Sequence, residues 1–260
     1  MRDGPQMQRV FSIIAALYNL LAERPEAEIN ALPRNVERII TYGLEIPIKR
    51  MFPLTIREAF RYLCILCGKD ETPLIPITDR KLYGLLHIGS PCNIIFVSDK
   101  LSPQAHNYVL AHELGHFLAD VFRVQQLWLK SLPEQKEAIE RAFAWRECDA
   151  RLELYAFIKG LPPRPKEIMN RGQGISPETV EREIQADLFA RELIAPWDVV
   201  SPLLQSSDRA EFVTRLYEKF GLPRRIADSY FEDLQRYLAP QPSAIEKLFS
   251  TLLTSSTESR

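Results

Sequence analysis

Apolar and polar positions alternate along this chain with periods that divide it into elements. Residues 10–21, Val-Phe-Ser-Ile-Ile-Ala-Ala-Leu-Tyr-Asn-Leu-Leu, form an apolar run broken by Ser12 and Asn19, with Asp3 before it and Glu23-Arg24-Pro25 after. Those polar interruptions and the acidic residue upstream fit an amphipathic first helix better than the core of a signal peptide. Pro33 to Tyr42 reads as a second helix, closed by Gly43 in the left-handed conformation. Leu44 to Phe52 has room for a short strand. Thr55-x-x-Glu58 is a capping box that opens a third helix running to Gly68.

A proline-rich connection, 69–80, leads to two β-type runs, Lys81–Ile88 and Asn93–Val97, joined by Gly89-Ser-Pro-Cys as a hairpin. Ser102-Pro103 then combines an N-cap serine with proline at the first helical position. Leu110, Leu114, Phe117 and Val121 recur from there at helical spacing and make a core-facing stripe. Ser176-Pro177-Glu178 repeats the start signal for a helix that runs from Thr179 to Ala195, where Pro196 stops it. Beyond it, Arg209–Phe220, a turn at Gly221-Leu-Pro, and Arg224–Leu238 have the outline of a helix-turn-helix. The pattern is therefore α+β, mostly helical, with a small β-sheet.

Ala111-His112-Glu113-Leu114-Gly115-His116 carries the chemistry. Residues four apart on a helix stand one turn above each other, so His112 and His116 project side by side and can share one metal ion. Glu113 lies about 60° round the helix from His116 and flanks the metal as a general base. The histidines lie in line with Ala105, Val109 and Ala119, small enough to admit a metal and a second helix. On the later helix Glu183, Ala186, Asp187, Ala190 and Ile194 share one face. Glu183 is the expected third ligand, and Asp187, one turn on, is expected to accept the remaining N–H of His112 and fix its tautomer. Two imidazoles and a carboxylate leave a fourth position for water, the arrangement of a catalytic zinc site, with manganese the other candidate metal.

His112-Glu-Leu-Gly-His116, followed by Glu183-Ile-Gln-Ala-Asp-Leu-Phe-Ala-Arg-Glu-Leu-Ile-Ala-Pro196, resembles the ImmA/IrrE family of bacterial and phage metallopeptidases. That family carries E-x-x-A-[ND]-x-F-A-x-x-L-[LM]-x-P after its H-E-x-x-H; here Ile194 replaces the usual leucine or methionine. Leu32-Pro33 with Val36-Glu-Arg-Ile39, and Asn93-Ile-Ile-Phe-Val-Ser98, are similar to the family's N-terminal helix and to the strand before its active-site helix. The resemblance covers roughly residues 30–240. It implies a zincin-like metallopeptidase domain and cleavage of a helix-turn-helix transcriptional repressor, in response to DNA damage or foreign DNA. On that basis residues 1–200 form the peptidase domain, with an inserted helical segment at about 122–175. Residues 201–240 form a helix-turn-helix-like region, and 241–260 a C-terminal helix and a disordered tail. The insertion, with an expected helix from Pro133 to Lys159, either covers the cleft or packs elsewhere and adds core.

Composition narrows the partners. A chain of 260 residues, 46% apolar and 26% charged, can bury a core without staples. Its net charge of −1 gives no electrostatic case for nucleic acid or a membrane surface, and the mixed charges of the C-terminal helix pair argue for docking a partner over binding DNA. Cys64-Ile-Leu-Cys67 sits in an apolar run without a second pair, so buried free thiols and a cytoplasmic setting are expected. Two other functions are compatible with the motif. One is a binding module with a structural metal that docks a transcription factor without cutting it. The other keeps the hydrolytic chemistry but takes a small amide or a toxin-antitoxin partner.

Overall fold

Which faces of the chain must be covered explains its architecture. In the computed structural model, residues 5–68, 81–88, 92–119, 128–137, 139, 177–206 and 208–238 are described. The first helix, α1 (Pro5–Leu21), buries Met7, Val10, Ile13, Leu17 and Leu21, a stripe at three- and four-residue spacing, and leaves Ser12 and Asn19 exposed.

The second helix starts later than expected. Asn35 is its cap, accepting from the Arg38 N–H at 3.1 Å, so α2 spans Val36–Arg38 and continues as a π turn through Ile39–Gly43. Gly43 does not take the left-handed conformation, which falls to Glu45 at φ 55°. Gly43 is required for space instead: a Cβ there would stand 2.5 Å from Leu21 Cδ2. Helix α3 (Ile56–Leu66) begins at the Thr55 cap, whose hydroxyl accepts from the Glu58 N–H, and ends before Gly68 at φ 61°. Its Cys64 is buried and Cys67 half-buried, both free, so only one of the pair is as buried as its apolar run suggested.

Strands β1 (Ile48–Met51), β2 (Gly84–His87) and β3 (Ile94–Ser98) form one sheet in the order β1-β3-β2, parallel for β1/β3 and antiparallel for β2/β3. Central β3 is buried throughout, and its side chains alternate between two cores. Ile95 and Val97 join the main core; Ile94 and Phe96 meet Leu54, Ala59, Tyr62 and Leu63 on the α3 side. Helix α4 (Pro103–Phe117) packs on the main-core face, its first turn capped by Ser102 Oγ, which accepts from the Ala105 N–H at 3.3 Å.

Helix α5 (Pro177–Ile194) lies between α4 and α1. After it come α6 (Trp197–Ser206), α7 (Arg209–Arg215), prolonged by a π turn over Leu216–Phe220, and α8 (Arg224–Leu238). Gly221, at φ 76°, makes the reversal between α7 and α8. Phe212, Leu216, Phe220, Tyr230, Phe231 and Leu234 belong to the same core as α1, α4 and α5. Within the expected insertion, residues 128–131 are helical, Pro133–Gln135 form a 3-10 turn, and Ile139 is buried against Trp128, Leu129 and Leu132. The rest of 122–175, the 69–80 connection, Ser176 and 239–260 lie outside the described residues. No described helix is long and apolar enough to cross a membrane.

Candidate metal centre

Two ladders of polar side chains face each other across the α4–α5 seam. On α4, Tyr108, His112 and His116 stand one turn apart; on α5, so do Glu183, Asp187 and Arg191. The helices can approach this closely because of Gly115, where a Cβ would stand 3.0 Å from Phe189 Cδ1 and 3.2 Å from Ala186 Cα. Ala186 and Ala190 are buried on the opposing face. Val109 faces the other way, toward Gly84 of β2, so it is Gly115 that sets the distance to α5.

The seam brings His112, His116 and Glu183 together. Nε2 of His112 is 3.1 Å from Glu183 Oε2, Nε2 of His116 is 3.2 Å from Glu183 Oε1, and the two Nε2 atoms are 3.1 Å apart. Among the described residues these three form the group that could hold a metal ion. Two imidazole nitrogens pointing at each other need something positive between them. A tetrahedral cation with bonds of about 2.0–2.1 Å separates its ligand atoms by about 3.3 Å, so the donor set fits in both chemistry and spacing.

The electrostatics favour a cation. Burial disfavours the Glu183 carboxylate, yet hydrogen bonds from His112 and His116 outweigh it and hold the pKa down at about 2. Burial also works against a charged His112, but Asp187 and Glu183 as acceptors, with the charge of Glu113, push its pKa up to about 10. Carboxylates that draw a proton to this imidazole draw a metal ion for the same reason.

Asp187 lies on the far side of His112, with Oδ1 2.9 Å from His112 Nδ1. The same Oδ1 accepts from the Tyr108 hydroxyl at 3.0 Å. Tyr108 is buried, and burial and the neighbouring Asp187 charge raise its pKa, with the Arg191 charge pulling the other way. Tyr108 and Arg191 were not singled out for a role by sequence reasoning. The signal was present in their spacing, four residues from His112 and four from Asp187.

Glu113 is buried beside the histidines, and burial raises its pKa, with the His112 and His116 charges pulling the other way. The Leu86 backbone lies near its carboxylate and works to lower that pKa. Gly84 makes the approach possible, because a Cβ there would stand 2.6 Å from Glu113 Oε1. His106 and His87 take no part in the triad; burial and Arg50 lower the pKa of His106.

Residues 76–144 match the model of the Peptidase_M78 family, described as the IrrE N-terminal-like domain. The match supports an ImmA/IrrE-family metallopeptidase. The ImmA/IrrE match takes in β2, β3 and all of α4, hence His112, Glu113 and His116; Glu183 and Asp187 lie beyond its end. Comparison with curated proteins and with solved structures found no match.

Proposed function

We propose that this chain is a cytoplasmic zinc-dependent endopeptidase that cleaves a helix-turn-helix transcriptional repressor and so relieves repression. The observation that carries the reading is the convergence of His112, His116 and Glu183 beside a buried Glu113. A purely structural site would not need that glutamate. His112, His116 and Glu183 would hold the metal, zinc suiting two imidazoles and a carboxylate best and manganese also acceptable. When bound, the cation supplies Lewis acidity, polarising a peptide carbonyl and making water a nucleophile near neutral pH.

The protein's own groups do the rest. Glu113, its proton affinity raised by burial, takes a proton from the attacking water at its carboxylate and delivers it to the leaving amine. Asp187 accepts from His112 Nδ1, which keeps Nε2 free as a donor of electrons to the metal.

Strand β2 supplies a place for the substrate. Ser98 donates to the Tyr83 carbonyl at 2.9 Å, so in this register Tyr83, Leu85 and His87 bond inward to β3 while Gly84 and Leu86 turn their N–H and C=O groups outward. An extended peptide adding to this edge would run past Glu113. The repressor target rests on the family resemblance, and the mixed charge of the α7–α8 pair suits docking of a protein partner.

The test compares newly formed N-termini in the native cell expressing the parent or Glu113→Gln. One transcriptional repressor cut only by the parent is expected, with metal content equal in both proteins. Cleavage by Glu113→Gln at the parent rate would remove Glu113 as base. An intact repressor held in a stoichiometric, metal-dependent complex would replace the peptidase with a binding module.

A further inference from the structure

We propose that Tyr108 is a positioning residue for the metal centre, its hydroxyl fixing the Asp187 carboxylate that in turn holds His112 in its ligating orientation. The inference rests on the metallopeptidase reading above and adds to it a residue behind the ligands.

Two hydrogen bonds that share one oxygen carry it. The Tyr108 hydroxyl donates to Asp187 Oδ1 at 3.0 Å, and the same Oδ1 stands 2.9 Å from His112 Nδ1. Across that ring, His112 Nε2 faces Glu183 Oε2 and His116 Nε2, each at 3.1 Å. The ligating nitrogen therefore points where Asp187 aims it, and Asp187 is held where Tyr108 meets it. Tyr108 and His112 are one turn apart on α4, so a single carboxylate on α5 can bridge both.

Exposure explains why a second anchor matters. The Asp187 side chain is 42% exposed, so water competes for its carboxylate and the bond to His112 alone leaves it able to turn outward. Tyr108 is the opposite case, 8% exposed and part of the main core. Packing fixes its ring, and a tyrosine has only two side-chain torsions to fix, so the hydroxyl is presented from a rigid support. A buried hydroxyl without a partner is costly, and Asp187 supplies the partner. Burial and the Asp187 charge raise the Tyr108 pKa, so the hydroxyl keeps its proton and stays a donor. Its engagement on the Nδ1 side of His112, away from the Nε2 atoms that would meet the metal, makes it a support for the ligand and not a donor to the reacting carbonyl.

The experiment removes one hydroxyl and no charge. Full-length parent, Tyr108→Phe, Asp187→Ala and the double variant are titrated with Zn2+ against a chelator and with Co2+ alone, following the cobalt absorption bands, and folding is followed by circular dichroism. Tyr230→Phe is the control, because it deletes another buried hydroxyl of the same core, one that donates to the Ala195 carbonyl at 3.3 Å. Asp187→Ala is expected to bind Zn2+ about 10–100-fold more weakly, the usual loss for a group directly behind a metal ligand. Tyr108→Phe, one bond further out, should bind about three- to tenfold more weakly, part of the worth of a hydrogen bond to a charged group, with altered Co2+ bands. Adding Tyr108→Phe to Asp187→Ala should cost nothing more, because the hydroxyl acts through that carboxylate. Tyr230→Phe should match the parent in affinity and spectrum.

Parental affinity with an unchanged Co2+ spectrum in Tyr108→Phe or in Asp187→Ala would overturn the proposal. So would losses that simply add in the double variant, or an equal loss in Tyr230→Phe. A Tyr108→Phe protein without the parental circular dichroism would overturn it too, since the hydroxyl would then serve the fold and not the ligand. A parent that bound neither metal would overturn the metal centre itself, a failure distinguishable from parental binding in the variants.

Discussion

The α4–α5 seam and the α7–α8 pair are both helix pairs, yet they are built from opposite materials. The seam is lined by Gly115, Ala186 and Ala190, and its middle is occupied by polar side chains. The C-terminal pair is filled by Phe212, Leu216, Phe220, Phe231 and Leu234, with Phe212 and Phe231 rings 5.4 Å apart, and its charges stay outside, where Arg209 pairs with Asp228 and Glu232. The difference follows from what each must do. Ligand atoms from two helices have to meet within about 3.3 Å around a cation, so small residues stand where the two helices approach at the ligands. The interior of the pair has no ligand atoms to bring together, and large side chains fill it.

That contrast can be broken from either side. The largest effect is expected for Phe212→Ala, which empties a fully buried site and should lower stability by about 3–5 kcal/mol in denaturant unfolding, while the protein that remains folded still takes up Zn2+. Uptake lost in the folded fraction would mean that the two regions are not separable in this way. Gly115→Val should lower stability less, by about 1–3 kcal/mol from overpacking. It should also weaken Zn2+ binding, because the added carbons meet Phe189 and the Ala186 backbone and part the ladders. Unchanged Zn2+ affinity there would show that the spacing is not set by this glycine.

A pH series sharpens the same comparison. In the metal-stripped protein the His112 pKa is raised to about 10, so its contribution to stability is complete below the unfolded value of about 6.5 and is lost as pH rises through about 10. The Glu183 pKa is lowered to about 2, so its contribution is complete above the ordinary carboxylate range and is lost as pH falls toward about 2. Metal binding needs His112 without its proton on Nε2, so added Zn2+ should stabilise more as pH rises from 6 to 9. Thermal unfolding of stripped and loaded protein is expected to diverge over that range; parallel curves would separate His112 from the metal. The smallest effect belongs to Arg209→Ala on the exposed face of the pair, where solvent screens the charges and the thermal midpoint should stay close to the parent.

Local signals made much of the fold readable in advance. Ser102-Pro103, Thr55-x-x-Glu58 and Gly221 act within a few residues of themselves, and the helices they bound begin or end where those signals stand. The β3 run, buried on both faces, and the β2/β3 hairpin pairing were legible for the same reason. Gly43 was misread because a glycine marks either a left-handed backbone or a missing Cβ, and only the neighbouring Leu21, distant in sequence, decides between them. The start of α2 moved because Asn35 makes a better cap than the segment around Pro33.

At the site, H-E-x-x-H and the Glu183/Asp187 spacing are visible because both partners in each pair lie on one helix. Tyr108 was passed over because its acceptor, Asp187, lies on another helix, and Arg191 because its acceptors lie on a third. Arg191 is an unremarkable residue until Asp233 and Ser229 of α8 are brought beside it. The place of Leu86 next to Glu113 depends on strand register, which residue types alone do not disclose.

The metal centre is tested most directly by X-ray absorption on the zinc-loaded protein. Two imidazole nitrogens and at least one oxygen at about 2.0–2.2 Å, with one oxygen contribution lost in Glu183→Ala and imidazole scattering reduced in His116→Ala, are the expected result. A sulfur shell, or a zinc environment that neither substitution changes, would contradict the assignment of His112, His116 and Glu183.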